Sequence, residues 1–154
     1  MKLKLINPKI LSDLNKVTFM FHTRRHPDVD SMLTGDPPSD FNSHLQYLTS
    51  VKNKKFYVAI DGDAPVGYSQ ITESEDCLEL GFVVHPDFQG KGFGKDLVKE
   101  TLKKSKELSL NNQSIYLVVK KSNLKAINIY TKFGFKKVSE NVAGEIVMEY
   151  MNDS

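Results

Sequence analysis

Hydrophobic residues recur with two different periods along the chain, and the N-terminal third follows the helical period after one short strand. Residues 2–6 alternate as a strand does, and Asn7-Pro8 ends that run. A helical spacing then extends from Ser12 or Asp13 to about Arg24. The inward face of this helix is predicted to carry Leu14, Val17, Met20 and Phe21.

A second helix is predicted after an interruption at Pro27. Proline lacks the amide proton that a helix interior needs, so Pro27 should break or restart the first helix. Residues 34–40 form a loop by composition, and Asp40 can cap the next helix because its carboxylate accepts a backbone N–H. That helix carries Phe41, Leu45 and Leu48.

From Lys55 the hydrophobic period changes to two, which is typical of strands. Residues 56–60 and 66–71 flank Asp61-Gly62-Asp63, and an Asp-Gly turn tolerates the positive φ angles of a hairpin. A third strand is predicted over 78–84. The later elements are a helix over 91–108, a strand over 115–119, a helix over 124–133 capped by Ser122 or Asn123, and strands over 135–138 and 145–150.

This order of elements predicts a layered, mixed α/β fold. The 154 residues are enough to bury one core without disulfides or metal and too few for two ordinary domains. We therefore expect a single domain over 1–154.

Charge and composition exclude several classes of protein. Lys and Arg number 21 against 19 Asp and Glu, and a net charge of +2 argues against a nucleic-acid binder that neutralises many phosphates. Cys77 is the only cysteine, so no internal disulfide can form and a reducing compartment is expected. The start lacks the apolar region of a signal peptide, and no apolar run approaches the roughly 20 residues that cross a bilayer. We expect a cytoplasmic protein that binds no membrane.

The strongest local signal is a glycine-rich segment between the third hairpin strand and the long helix. Residues 83–95 read VVHPDFQGKGFGK. Glycines let backbone N–H groups approach a ligand, and a helix start adds partial positive charge. The predicted ligand is an anion such as a pyrophosphate, with Lys91 and Lys95 adding charge. The alternative is a glycine-rich connection that binds nothing.

Two better-known phosphate-binding loops do not fit the glycine spacing. A Walker A loop has a second glycine five residues after its first, but Lys95 stands at that distance from Gly90. The dinucleotide-binding fingerprint also needs a glycine where Lys95 stands, within a strand-helix-strand unit. Here three strands that look antiparallel precede the loop.

Two motifs together resemble the GNAT family of N-acetyltransferases. The first is Gln89-x-x-Gly92-x-Gly94 after a strand, and the second is Asn123-x-x-Ala126-x-x-x-Tyr130-x-x-x-Gly134-Phe135 after the long helix. The order of elements matches the family over nearly the whole chain. The resemblance implies an α/β fold of GNAT type, with a mixed, mostly antiparallel central sheet and helices on both faces, and acetyl-coenzyme A (acetyl-CoA) as acetyl donor.

The resemblance also implies which residues hold the donor. The pyrophosphate should lie on the glycine loop, and the pantetheine arm should pair with the backbone where the fourth and fifth strands splay apart. Asn123 could bond the cofactor arm, although a helix N-cap explains it equally well. The predicted cofactor-binding residues are Phe82, Val83, Val84, Gln89, Gly90, Lys91, Gly92, Phe93, Gly94, Lys95 and Asn123.

Acetyl transfer to an amine needs a neutral amine, a stabilised oxyanion and a proton for the departing thiolate. Tyr130 is the predicted acid, as the tyrosine at this motif position commonly is in the family. Protonation of a thiolate with a pKa of about 8.5 by a phenol with a pKa of about 10 costs about 2 kcal/mol, which a positioned hydrogen bond can offset. Glu79 is the candidate base, acting directly or through water. The alternatives are a core aromatic for Tyr130 and a solvated or ion-paired carboxylate for Glu79.

The N-terminal half resembles a narrower branch, the enzymes that acetylate nucleotide-linked 4-amino sugars in pathways such as that of pseudaminic acid. The shared pattern lies in RRHPDV at 24–29 and FNSHLQY at 41–47. Arg24 would offer a planar fork to phosphates, and His44 or Tyr47 could bond a phosphate or stack on the base. The alternatives are a surface arginine and two helix residues that pack beside Phe41. Thr23 and Arg25 depart from the branch's usual residues, which leaves the base or the sugar open.

Other functions stay open from the sequence. Residues 79–82, ELGF, also resemble protein N-terminal and ribosomal-protein acetyltransferases, but Arg24-Arg25 opposes the acidic groove that a basic peptide would need. A catalytically inactive CoA-binding sensor is a third possibility. His22 and His26 have a helical ligand spacing, but the other histidines fall in separate elements, and we predict no metal site. A homodimer is compatible with the sequence.

Lysine clusters offer candidates for the 3′-phosphate of the coenzyme. Lys103, Lys104 and Lys106 lie on the long helix, and Lys120-Lys121 ends a strand near the expected cofactor mouth. A solvated helix face is the simpler interpretation of the first cluster.

Overall fold

The structure is a computed structural model that describes residues 3–33, 35–109 and 113–151. The strands are β1 (Lys4–Ile6), β2 (Lys54–Asp61), β3 (Ala64–Glu73), β4 (Cys77–Val84), β5 (Ser114–Val119), β6 (Phe135–Glu140) and β7 (Ile146–Tyr150). The helices are α1 (Leu14–Arg25), α2 (Pro27–Asp30), α3 (Phe41–Ser50), α4 (Phe93–Leu108) and α5 (Leu124–Lys132), and a 3₁₀ turn covers Pro86–Phe88.

All seven strands form one sheet in the order β1-β2-β3-β4-β5-β7-β6. Neighbouring strands are antiparallel except for β4 and β5, which are parallel. The parallel pair is joined by α4, as a crossover connection requires. This arrangement confirms the predicted mixed, mostly antiparallel sheet.

Helices cover both faces of the sheet because successive side chains of a strand point to opposite sides. In β2, Phe56, Val58 and Ile60 pack with residues of α1 and α3. Tyr57 and Ala59 face the other side and join clusters that contain residues of α4. The alternation in β2 therefore fixes which helices lie on which face.

Local signals placed most element boundaries correctly. Pro27 is the first residue of α2, and the Asp40 carboxylate accepts the Ser43 N–H at 2.7 Å at the start of α3. Gly62, with φ +62°, turns the chain between β2 and β3. The Asn123 side chain caps α5 by accepting the Ala126 N–H at 3.3 Å. The short α2 and the 3₁₀ turn were not foreseen.

Two predictions about helices were wrong. Leu14 is 46% exposed because it is the first residue of α1, and the buried face begins one turn later at Val17. The long helix begins at Phe93 rather than Lys91, because Gly92 has a left-handed φ of +86° that no helix interior allows. Lys2, in the predicted first strand, lies outside the described residues.

Within the described ranges, no helix is both long and apolar enough to cross a membrane.

Candidate active site

The sheet opens between β4 and β5. The two strands are paired from Cys77, opposite Ser114, to Leu80, opposite Leu117. Beyond these pairs, β4 continues to Val84 and β5 to Val119. The backbone of β4 from Gly81 onwards therefore faces a gap on this side, where the sequence resemblance placed the pantetheine arm. On the other side of β4, a Cβ at Gly67 of β3 would clash with the Val83 carbonyl oxygen, so glycine permits the close pairing of β3 with β4 there.

Two cavities meet at this opening. The first, here called the acceptor cavity, has a volume of about 460 Å³ and lies among α1, α3 and the sheet. The second, here called the donor groove, has a volume of about 820 Å³ and lies between the glycine loop and α5. Six residues line both: Met32, Leu33, Phe82, Val83, Asn123 and Tyr130.

The glycine loop presents backbone to the donor groove. Gly90 and Gly92 have φ of +80° and +86°, and a Cβ on either would meet no atom within 4 Å. The Gln89 amide anchors the loop by donating to the Val84 carbonyl at 3.1 Å. The unsatisfied N–H groups at the start of α4 therefore adjoin open space, as an anion site requires.

Nine of the eleven predicted cofactor residues line the donor groove. They are Phe82, Val83, Val84, Gln89, Gly90, Gly92, Gly94, Lys95 and Asn123. Lys91 and Phe93 do not line it. The Lys91 ammonium lies 5.6 Å from the Phe88 ring centroid, and the Phe93 ring is buried in the core.

The lysines that line the donor groove are not those of the predicted lysine clusters. Lys125, Asn128 and Lys132 line it from α5. Their spacing of three and four residues puts them on one helix face, a signal present in the sequence but not used. Of the predicted candidates, Lys120 donates to the Ser31 carbonyl at 3.1 Å, and Lys121 pairs with Glu140 at 2.9 Å.

Tyr130 lines both cavities and also belongs to the core. Its ring centroid lies 5.6 Å from that of Phe82 and 6.2 Å from that of Phe135. Burial raises the pKa of the Tyr130 phenol above its usual range, so the hydroxyl stays protonated at neutral pH. Tyr130 is therefore a core aromatic, as the alternative predicted, that also lines both cavities, and its role as the acid stays a prediction.

Glu79 is exposed on β4 and lines the acceptor cavity. It points to the same face of the sheet as Gly81, the first residue of β4 beyond the pairing with β5. Two residues along a strand span about 7 Å, so a proton from an amine at the opening would reach Glu79 through water. Among the described residues, no cation lies within ion-pair distance of its carboxylate.

Arg24 is not a free surface arginine. Its guanidinium pairs with the Asp30 carboxylate at 2.8 Å and donates to the Gly35 carbonyl at 3.1 Å, and its side chain is only 14% exposed. Arg24 lines the acceptor cavity from this fixed position. Its charge is therefore partly balanced before any ligand binds.

His44 and Tyr47 line the acceptor cavity from α3. His44 is 7% exposed, and its Nε2 has no hydrogen-bond partner among the described residues. Burial lowers the pKa of His44, which keeps the imidazole neutral. Tyr47 is 42% exposed, and the Lys54 ammonium lies 5.5 Å from its ring centroid. Lys54 also lines the cavity, and sequence reasoning missed it.

The histidine pair considered for a metal does not share a helix. His22 is exposed on α1, whereas His26 follows the end of that helix and its Nδ1 accepts the Asp28 N–H at 3.1 Å. In the part of the chain that the structure describes, no three His, Cys, Asp or Glu side chains are grouped as metal ligands.

Comparisons with known proteins agree with this geometry. The model of the acetyltransferase (GNAT) family matches residues 21–135. The spermidine N(1)-acetyltransferase of Escherichia coli is 30% identical over 107 residues, which cover 68% of this chain and 54% of that protein. An N-alpha-acetyltransferase of Sulfurisphaera tokodaii is 34% identical over 106 residues, covering 61% and 63%. The chain thus matches about half the length of the E. coli relative.

A solved structure shares the fold over its full length. The N-acetyltransferase PseH of Campylobacter jejuni, in complex with acetyl coenzyme A, superposes with a TM-score of 0.73 and 22% identity, covering 99% of both chains.

Proposed function

Since the chain belongs to the acetyltransferase (GNAT) family, whose members use acetyl-CoA, we propose that it transfers an acetyl group from acetyl-CoA to the primary amine of a nucleotide-linked 4-amino sugar. The observation that carries this proposal is the meeting of the donor groove and the acceptor cavity at Tyr130. A thioester in one cavity and an amine in the other can approach each other there.

The donor binds mainly through backbone groups. Its pyrophosphate accepts N–H groups of the loop from Gln89 to Lys95, and the partial positive charge at the start of α4 favours the anion. Its pantetheine arm pairs with the backbone of residues 82–84, which β5 leaves free. Lys95, Lys125 and Lys132 add positive charge along the groove.

The chemistry needs two proton movements. The amine loses a proton to Glu79 through water and attacks the thioester carbonyl, forming the C–N bond. The C–S bond then breaks, and Tyr130 protonates the departing thiolate. Burial raises the pKa of Tyr130, but a thiolate in the same low-dielectric opening is destabilised by the same cause. The free-energy cost of proton transfer from the phenol to the thiolate therefore rises less than the raised pKa of the phenol alone would indicate.

The acceptor cavity offers contacts that suit a nucleotide sugar. Arg24 and Lys54 supply two cations, and Tyr47 offers an exposed ring for a base. An arginine fork suits phosphate oxygens. Glu79 and Asp36 line the same cavity, so its formal charges balance, and the assay below decides between an anionic and a cationic acceptor.

Protein N-terminal acetylation is the second candidate. The observation in its favour is the similarity to the N-alpha-acetyltransferase of S. tokodaii. The substrate would then be a peptide with a free N-terminal amine.

The experiment is a thiol-release assay with acetyl-CoA against separate acceptor pools: UDP- and dTDP-linked 4-amino sugars, spermidine, an aminoglycoside, and peptides with free N-termini. We expect the highest kcat/KM with an amino sugar nucleotide. A preference for spermidine or for peptides would contradict the proposed acceptor. CoA binding without turnover of any pool would instead support a sensor. We also propose a reducing, cytoplasmic location, in keeping with the single Cys77.

A further inference from the structure

The sequence His-Pro-Asp occurs twice in the chain, at 26–28 and at 85–87. Both copies have the same local structure. In each, the histidine Nδ1 accepts the backbone N–H of the aspartate at 3.1 Å, and the proline is the first residue of a short helical turn. Each histidine is therefore the N-cap of its turn.

The two imidazole rings contact each other. The His26 and His85 ring centroids are 5.9 Å apart with the planes at 71°, an edge-to-face arrangement. His85 is also stacked on Phe19 of α1 at 5.7 Å and meets Phe88 edge-on at 6.1 Å. The two copies are thus joined through their side chains, with His85 at the centre of the aromatic group.

This contact joins two walls of the donor groove. His26 begins the segment 26–33, here called the strap, which contains α2. The strap residues that line the donor groove are Asp28, Val29, Ser31, Met32 and Leu33, and the last two also line the acceptor cavity. His85 stands four residues before Gln89, where the glycine loop begins. Neither histidine lines the groove itself, so their contact lies behind the strap and the loop that do.

We propose that His26 and His85 are positioning residues whose ring contact holds the strap against the glycine loop and thereby sets the width of the donor groove. A second wall fixed in this way keeps Met32 and Leu33 at the junction of the two cavities. The inference concerns donor binding and does not depend on which amine is acetylated.

The hydrogen bonds define which nitrogen of each imidazole ring is the acceptor. A ring whose Nδ1 accepts an N–H carries its own proton on Nε2 and is neutral. The charged groups near the pair are the Asp28 and Asp87 carboxylates, 3.9 and 3.8 Å from the respective Nδ1 atoms, and Lys91 across the Phe88 ring.

The simpler explanation is two independent helix caps. Asparagine separates the two, because its side-chain oxygen also caps a helix but provides no ring. We therefore expect His26→Asn and His85→Asn each to weaken CoA binding about 3- to 10-fold, as expected for loss of an aromatic contact. The double variant should lose little more than His85→Asn alone, because without the His85 ring the His26 ring has no histidine partner whose contact can still be lost.

Calorimetric titration with CoA, together with melting of the free protein, tests this directly. His22→Asn is the matched control, since His22 also contacts a phenylalanine ring, at 5.3 Å from Phe21, and lines neither cavity, like His26 and His85, but belongs to neither the strap nor the glycine loop. Its CoA affinity should be unchanged. Normal CoA affinity in both single variants, or losses that add fully in the double variant, would overturn the proposal.

His26→Phe provides a second readout because it keeps a ring and removes the cap acceptor. We expect this variant to bind CoA within about twofold of the wild type while its melting temperature falls, since a lost cap costs about 1 kcal/mol. Should it lose as much CoA affinity as His26→Asn, the ring contact would not be the positioning element.

Discussion

The donor groove and the acceptor cavity are built on different principles. One continuous stretch, residues 82–95, supplies the glycine-loop wall of the donor groove, and it presents backbone groups there, with positive φ at Gly90 and Gly92. The acceptor cavity takes side chains from α1, α3, β2, β3 and β4, which are far apart in sequence. A site made of backbone tolerates little change in the residues that shape the loop, whereas a site made of side chains can change its ligand while the fold persists.

The largest expected effect is at the junction of the two regions. Tyr130→Phe removes the hydroxyl that protonates the thiolate, and we expect kcat to fall about 10²- to 10⁴-fold, as for loss of a general acid, with CoA affinity nearly unchanged. Steady-state kinetics measures kcat, and calorimetric titration measures the CoA affinity. Tyr150→Phe is the control, because its ring also contacts Phe135 and lines neither cavity. Equal losses of kcat and CoA affinity in Tyr130→Phe would argue for a structural role only.

The backbone character of the donor groove can be tested at Gly92. Gly92→Ala strains a left-handed position and places a methyl group in the space reserved for the pyrophosphate, and we expect CoA affinity to fall about tenfold. Gly62→Ala imposes a comparable strain of about 1 to 2 kcal/mol in the β2–β3 hairpin, away from both cavities. Equal weakening of CoA binding by the two variants would show that strain, not ligand contact, is responsible.

The side-chain character of the acceptor cavity can be tested at Arg24. Arg24→Ala removes a cation from the cavity, and we expect the acceptor KM to rise about tenfold, in the range of a charged hydrogen bond. Asp30→Asn breaks the same ion pair but leaves the guanidinium in place, so its KM should change less. Matching increases in both variants would mean that Arg24 only holds the strap.

The smallest expected effect is on stability at acidic pH. Burial lowers the pKa of His44 in the folded protein below the 6.5 of the unfolded chain. At a pH between the folded and the unfolded pKa, the unfolded chain therefore binds more protons than the folded protein. The free energy of unfolding should therefore fall as the pH drops below about 6.5, by at most about 1.4 kcal/mol per pH unit. Urea unfolding at several pH values across this range measures the free energy of unfolding as a function of pH. The slope of that free energy against pH should be shallower in His44→Gln and unchanged in the exposed His22→Gln.

The sequence predicted the fold and the donor wall because both depend on local signals. Caps such as Asp40 and Asn123, the Asp-Gly turn at Gly62 and the glycine loop act through neighbouring residues, and the structure agrees with each of them. The prediction placed the start of α4 two residues too early. Gly92 has a left-handed conformation that lies outside the helix, but it does not change the hydrophobic spacing on which the prediction was based.

The rest of the site depends on tertiary contacts that no local pattern encodes. Lys54 reaches the acceptor cavity only because β2 lies against α3, and its ammonium contacts Tyr47 across that boundary. The Arg24–Asp30 pair and the contact between His26 and His85 likewise join segments whose meeting the sequence does not show. The prediction for Leu14 was wrong for another reason, since its helical spacing is correct but it is the first residue of α1, one turn before the buried face begins.

The most direct measurement is the distance between the thioester sulfur of bound acetyl-CoA and the Tyr130 hydroxyl oxygen in a crystal of the complex. We expect the diphosphate to lie on the backbone of Gly90–Gly94 and the sulfur to lie within about 4 Å of that oxygen, the reach of a hydrogen bond to sulfur. A diphosphate bound elsewhere, or a sulfur separated from the hydroxyl by other side chains, would contradict the proposed junction of the two cavities.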